Sequence, residues 1–267
     1  CLRSCANGTS QTGQEKPAMS LTPLNAIQIS QALAKTYPRV KLITETTSTQ
    51  TEISQIFSPL QPFDLLIAEF QTHGRGRLDR TFTTPAFSSL LFSMYLKPQR
   101  NKSEWGVVPI LIGHAVATAI KKLTGLNAQI KWPNDVLIKE KKICGILCEV
   151  RGDGIIAGIG LNVNISEDEL PVPTATSLSI EYGKTLDRAN VLISISTEIH
   201  SQFNKWINSE IDVNELVTHS ATIGRKVRIE ITNGEVTEGI VREISHDGSL
   251  VLESGEIFNV GDVTHLR

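Results

Sequence analysis

The 267-residue sequence predicts an α+β fold: a mixed β-sheet flanked by helices, followed by a small C-terminal β-barrel. Three observations carry that expectation. Between residues 40 and 165, short apolar runs alternate with turn residues, the pattern of strands. An apolar stripe at helical spacing lies in the middle of those runs. Past about residue 217, short alternating segments separated by Asn-Gly, Asp-Gly and Ser-Gly pairs take over, as in a compact all-β unit. With 40% hydrophobic residues the chain can bury one sizeable core and a small second one.

Residues 1–18 are polar and begin at Cys1, with Met19 as a natural start, so they read as a tag, leader or unstructured tail. A main domain over 19–217 and a barrel over 218–267 follow. Strands are expected at 40–43, 63–70, 90–96, 129–138, 143–150 and 155–165. Thr49-x-x-Glu52 reads as a capping box that opens a helix carrying Ile53, Ile56 and Phe57. Val108, Leu111, Ile112, Ala115, Val116, Ala119 and Leu123 form the stripe of a helix packed on the sheet. Asp187 suits the cap of a longer helix, with Leu192, Ile195, Ile199, Phe203 and Trp206 along one side. In the barrel, Val227, Ile229 and Ile231 alternate with polar residues, and turns are expected at Asn233-Gly234, Asp247-Gly248 and Ser254-Gly255.

A formal net charge of −2 gives no global pull toward nucleic acid or an anionic membrane. The apolar run at 107–120 falls short of the ~20 residues a membrane span needs. Four cysteines fall as the local pairs Cys1/Cys5 and Cys144/Cys148, without zinc-ligand spacing. Cys144 and Cys148 read as small hydrophobes on one face of a strand, which suits a reducing cytoplasm.

Four segments carry candidate chemistry. His73-Gly-Arg-Gly-Arg-Leu-Asp-Arg80 follows a strand: its glycines allow close backbone approach, and Arg75, Arg77 and Arg80 offer forked donors for phosphate or carboxylate. A solvated basic loop, or one touching nucleic acid, reads equally well from these residues alone. In Lys131-Trp-Pro-Asn-Asp135 the proline interrupts the ladder, which presents Asn134 toward a nucleotide and Asp135 toward Mg²⁺; an ordinary Asn-Asp turn is the plainer alternative. Lys142-Ile-Cys-Gly145-Ile-Leu-Cys-Glu149 begins a buried strand with a lysine, normally a solvated strand end. Gly158-Ile-Gly160-Leu-Asn162 places two glycines within a strand, which points weakly to close approach by a ligand or another backbone.

In order and spacing, these four segments together resemble the biotin–protein ligase family across residues 40 to 267. The resemblance implies a class II aminoacyl-tRNA synthetase/biotin ligase-like catalytic domain with an SH3-like C-terminal barrel, of the monofunctional type without an N-terminal DNA-binding domain. It implies that ATP, with Mg²⁺, activates biotin as biotinyl-5'-AMP, and that the biotinyl group passes to a lysine of a biotin carboxyl carrier protein domain; the protein would be a monomer or homodimer. By the same resemblance, Ser48, Thr49, Gln71, Gly74, Arg75, Arg77, Lys142, Gly145, Gly158 and Gly160 match biotin contacts. Arg77, Arg80, Phe82, Lys131, Asn134, Asp135, Lys142 and Asn162 match the ATP side, and Lys142, Arg77 and Asp135 the catalytic roles.

Gln50, Asp79 and Phe82 depart from the family's usual asparagine, glycine and tryptophan, although Phe82 keeps an aromatic face for adenine. The glycine-rich Arg-Arg-x-Ser-Gly-Gly-Gly segment of lipoate or octanoate ligases is missing. A nucleic-acid-binding regulator is a rival of another class, but residues 219–267 hold five Lys/Arg against eight Asp/Glu, a balance of −3. The loop 73–82, rich in like charges, is expected to stand open without ligand and to close over anionic ligands. Specific DNA binding is not expected: mobility-shift titrations at nanomolar protein should show no sequence-specific, salt-dependent complex.

Overall fold

The computed structural model describes residues 22–78, 80–231 and 234–266. The tail at 1–18 with its Cys1/Cys5 pair, Asp79 and Asn233 lie outside the described residues. In chain order the elements begin with α1 (Ala26–Leu33), β1 (Val40–Thr46), α2 (Thr49–Ile56), β2 (Leu65–Gln71), β3 (Ser89–Leu96) and α3 (Val108–Thr124). Then come β4 (Gln129–Lys131), β5 (Asp135–Ile138), β6 (Lys141–Arg151), β7 (Gly154–Asn162), α4 (Leu178–Tyr182), α5 (Arg188–Ile207) and α6 (Val213–Leu216). The last five strands are β8 (Lys226–Glu230), β9 (Val236–Ile244), β10 (Leu250–Leu252), β11 (Ile257–Phe258) and β12 (Asp262–His265).

The mixed sheet is as expected. Seven strands run in the order β1-β2-β3-β7-β6-β5-β4. Only β1 and β2 pair in parallel; the other neighbours are antiparallel. A second, antiparallel sheet of five strands follows the order β11-β10-β9-β8-β12. Its turns use Gly234, Gly248 and Gly255 at positive φ, a region in which a Cβ is strained.

Period-two alternation sorts the large sheet into two faces. Leu65 and Ile67 of β2, Leu90, Phe92, Met94 and Leu96 of β3, and Ile155, Ala157, Ile159 and Leu161 of β7 join one core with α3 and α5. Leu66, Tyr95 and Ile156 point the other way, into a small cluster with Ile53 of α2 and Phe57 at its C-cap. The most apolar helix, α3, lies in the core, with Val108, Leu111, Ile112, Ala115, Val116 and Ala119 buried. Helix α5 starts where expected: Asp187 accepts from the N–H groups of Ala189 and Asn190, a cap that contributes about 1 kcal/mol.

Four local expectations fail. Leu123 and Ile56 are each 37% exposed, each in the last turn of its helix. The segment 129–138 is a hairpin of two strands rather than one, since Pro133 removes a ladder donor at the turn. The capping box is absent as well. The N-cap of α2 is Ser48, the Thr49 hydroxyl is bonded instead to Gln71 and Ser93, and Glu52 takes the Thr47 hydroxyl. Thr49 is already the first helical residue, so the cap position falls on Ser48, and the Thr49 hydroxyl turns to tertiary partners.

A buried ion pair fastens the start of α5 to the sheet. Arg188 donates to Glu69 Oε2 at 2.7 Å, to the Ser89 carbonyl at 3.0 Å and to the Thr22 carbonyl at 2.7 Å. Both side chains are 4% exposed, and Glu69 also accepts the Leu24 N–H. Removing one partner strands the other charge without solvent. Glu69→Ala should therefore lower the unfolding free energy by about 3–5 kcal/mol, whereas Glu69→Leu/Arg188→Met should lose less; urea unfolding of both variants checks this.

Candidate active site

The bare part of the sheet lies on the face that α3 and α5 do not cover. There the alternation of β6 and β7 brings up Gly145, Gly158 and Gly160, residues without side chains, beside Ser93 of β3. The result is a cleft lined at one end by Ser48, Thr49, Gln50, Gln71 and Ser93, and at the other by Phe82, Asn134, Asp135 and Lys142. Over it lie residues 75–78 and 80–82, and Asp262 of the second sheet completes the wall.

One end is a dense hydrogen-bond network. Gln71 Oε1 accepts from the Thr49 N–H at 2.7 Å and from its hydroxyl at 3.0 Å, and the Thr49 and Ser93 hydroxyls are 2.8 Å apart. Gln50 Nε2 donates to Glu149 Oε2 and to the Ile156 carbonyl, both at 3.0 Å. Its Oε1 lies 2.5 Å from where a Cβ on Gly158 would sit, so no larger residue fits there without displacing it. Ser48, Thr49, Gln50, Gln71 and Ser93, which line this end, are buried amides and hydroxyls, suited to a neutral polar ligand rather than an ion.

The other end is charged. Lys142 Nζ is 2.6 Å from Asp135 Oδ1. A Cβ on Gly145 would come within 3.2 Å of that ammonium, so glycine leaves the lysine its place. The Lys142 backbone is pinned on both sides, its N–H to the Thr174 carbonyl at 2.7 Å and its C=O to the Thr176 N–H at 2.8 Å. Asn134 is oriented by donating to the Ile146 carbonyl at 2.7 Å. The Phe82 ring lies against Gly160, where an added Cβ would meet three ring atoms at 2.6–2.8 Å.

The arginine loop is folded rather than open. Gly76 N–H donates to the Arg80 carbonyl at 2.7 Å, and Phe82 N–H to the Gly74 carbonyl at 2.9 Å. Each arginine already has partners: Arg75 pairs with Glu149 at 2.8 Å, Arg80 with Asp262, and Arg77 donates to Asn134 Oδ1 at 3.3 Å and the Gly261 carbonyl at 3.2 Å. The expectation of a loop held open by like charges is therefore corrected: Arg75 and Arg80 are paired with carboxylates, and Arg77 is held by neutral acceptors. Burial pulls the Arg77 guanidinium below its usual pKa, while Asp262 and Asp135 push back. Burial alone would raise Asp262; the hydrogen bond from Arg80, with Lys131 and Arg77 nearby, holds its carboxyl below the usual range.

Of the expected residues, Ser48, Thr49, Gln71, Arg75, Arg77, Arg80, Phe82, Asn134, Asp135, Lys142, Gly145, Gly158 and Gly160 come together around the cleft. Gly74, Lys131 and Asn162 do not line it. Gly74 lies where the loop folds back on the Phe82 carbonyl, and Asn162 donates its amide to the Thr176 carbonyl at 2.9 Å. Lys131 ends β4 opposite Asp135. Ser93 and Asp262 were missed, since an isolated serine in an apolar strand and an aspartate near the C-terminus carry no motif. Burial pushes up the thiol pKa of Cys144 and of Cys148, the latter to about 12, so neither is a nucleophile.

Such a fold and cleft define a ligase-type enzyme, and known proteins agree. The model of the Biotin/lipoate A/B protein ligase family matches residues 41–166. The chain is 34% identical to the biotin–[acetyl-CoA-carboxylase] ligase of Mycobacterium tuberculosis, over 76% of this chain and 79% of that protein. It is 32% identical to the bifunctional ligase/repressor BirA of Bacillus spizizenii, over 72% of this chain but 62% of that longer protein. Among solved structures, the biotin protein ligase from Aquifex aeolicus in complex with biotin and ATP aligns with a TM-score of 0.72 at 27% identity, over 86% of this chain and 100% of that one. The chain belongs to the biotin/lipoate A/B protein ligase family.

The contact between Phe82 and Gly160 gives a test that needs no ligand. Gly160→Ala should destabilise the protein by about 1–3 kcal/mol through overpacking. Adding Phe82→Leu should restore most of that, because the obstructing atoms belong to the ring. Thermal denaturation of the single and double variants reads the coupling.

Proposed function

We propose that this chain joins biotin to ATP as biotinyl-5'-AMP and then transfers the biotinyl group to a lysine amine of a biotin carboxyl carrier protein domain, in the cytoplasm. The observation that carries the reading is the division of the cleft. Neutral amides and hydroxyls line one end, cations gather at the other, and Lys142 stands beside Gly145 at the charged end. The relative from Mycobacterium tuberculosis and the biotin- and ATP-bound Aquifex aeolicus structure support the choice of substrates.

In this reading Ser48, Thr49, Gln71, Gly158 and Gly160 enclose the biotin end, with Arg75 and Gly74 in the loop above it. Arg77, Arg80, Phe82, Asn134 and Asp135 serve the ATP end, with Lys131 and Asn162 supporting it from behind. A biotin carboxylate oxygen attacks the α-phosphorus, the bond to the bridging oxygen breaks, and pyrophosphate leaves. Two anions must meet, so cations are needed to offset repulsion and developing charge. Lys142 and Arg77 supply fixed positive charge there. Among the described residues no group of three or more His, Cys, Asp or Glu side chains forms a metal cage. One carboxylate plus ATP phosphates is, however, a donor set that magnesium accepts, and Asp135 fits as that carboxylate. Magnesium would supply further charge neutralisation on the phosphates.

In the second step the carrier lysine attacks the acyl carbon and AMP leaves. A free lysine amine has a pKa of about 10.4, so it must first lose a proton. Asp135 is our candidate to receive it.

The direct test is biotin-dependent pyrophosphate release from MgATP, followed by the mass of an apo carrier domain after incubation. Equal release with lipoate, or without any acid, would reject the reading. Lys142→Ala should lower adenylate formation by about 10²–10³-fold. Its ion pair with Asp135 is 40% and 22% exposed, so stability should change by no more than about 1 kcal/mol. A normal rate in that variant, or a collapse of its melting temperature, would remove the assigned role.

A further inference from the structure

Glu149 does not line the cleft, yet it holds two residues that do. Its two carboxylate oxygens accept from both terminal nitrogens of Arg75, at 2.8 and 3.2 Å, in the forked arrangement that fixes a guanidinium in direction as well as distance. Oxygen Oε2 also accepts from Gln50 Nε2 at 3.0 Å. Strand β6 explains the placement. Glu149 lies on the same face as Gly145, four residues along the strand.

The bond to Gln50 determines which way that amide points. Its nitrogen faces two groups that can only accept, the Glu149 carboxylate and the Ile156 carbonyl. The oxygen is thereby turned over Gly158, into the cleft, where among the described residues the Ser93 hydroxyl reaches it, at a long 3.3 Å. A carbonyl oxygen so presented has a lone pair free for an N–H group.

We propose that Glu149 is a positioning residue for the substrate end of the cleft: one carboxylate fixes Arg75 above and the acceptor polarity of Gln50 below, so that the site is set for a ligand bearing an N–H donor. This rests on the reading of biotin, whose ureido ring carries such donors, as the ligand. Substituting glutamine keeps the shape but removes the charge, and two amide atoms cannot serve three donors. Arg75 is freed, and the Gln50 amide is no longer held to one orientation.

The experiment compares wild type, Glu149→Gln, Arg75→Gln and the double variant. In unliganded protein, hydrogen exchange over residues 72–82 should quicken several-fold in Glu149→Gln while α5 stays as protected as in wild type, which excludes general unfolding. Biotin titrations should show Kd raised roughly two- to fivefold, the scale of one partly exposed forked pair. The loss should fall on KM for biotin rather than on kcat, and the double variant should bind no worse than the weaker single one. If wild type binds biotin and Glu149→Gln binds it equally well with unchanged loop exchange, the positioning role is wrong and the functional reading stands. A wild-type protein that fails to bind biotin overturns both.

Discussion

Period-two alternation along β7 puts Ile155, Ala157, Ile159 and Leu161 into the core and leaves Ile156, Gly158 and Gly160 on the opposite face, and the cleft depends on that division. A strand that supplies four core residues cannot slip by one position without exposing all of them. The register that fixes the core therefore also fixes where the glycines open. Glycine lowers the stability of a strand interior, so the packed face must hold the strand straight while the bare face receives Phe82 and the Gln50 amide. Core and site are two sides of one ladder.

This also explains what could be read from the sequence. Strands 90–96 and 155–165 were legible as short apolar runs bounded by turn residues, and α3 and α5 because their stripes span several turns. The Arg-Gly loop and the Lys142 strand stood out because charged and glycine residues interrupt apolar runs. Spatial pairing was hidden. Thr49 looked like a cap because Glu52 sits three residues on, yet the tertiary partners Gln71 and Ser93 take its hydroxyl. Asp262 was invisible because its importance comes from Arg80, 182 residues away. The short helices α1 and α6, capped by Asn25 and Asp212, have too few turns to show a period.

Electrostatics in the loop follow from the same geometry. Three arginines within six residues look like an unsatisfied charge cluster, but Glu149, Asn134, Gly261 and Asp262 have already accepted their donors. An incoming anion then exchanges partners with the protein rather than neutralising free cations. Exchange of this kind returns less net energy than first contact, and it makes the arrangement of acceptors, not total charge, the determinant of selectivity.

The hairpin that carries Asn134 and Asp135 is also where the second sheet is fastened. The Trp132 indole donates to the Gly248 carbonyl at 2.9 Å, its backbone N–H to the Thr222 hydroxyl at 3.1 Å, and Ala221 N–H reaches the Ile130 carbonyl at 2.8 Å. Gly248, at φ +88°, lies so close to the Gly106 backbone that no side chain fits between them. A proteolytic cut after residue 217 would consequently not release an accessory module from an intact enzyme. It would leave a buried indole N–H without its acceptor and a tryptophan face open to water, and the turn bearing the two polar residues would lose its brace. Domain shuffling at this seam is for that reason disfavoured, and the two sheets are expected to be inherited together.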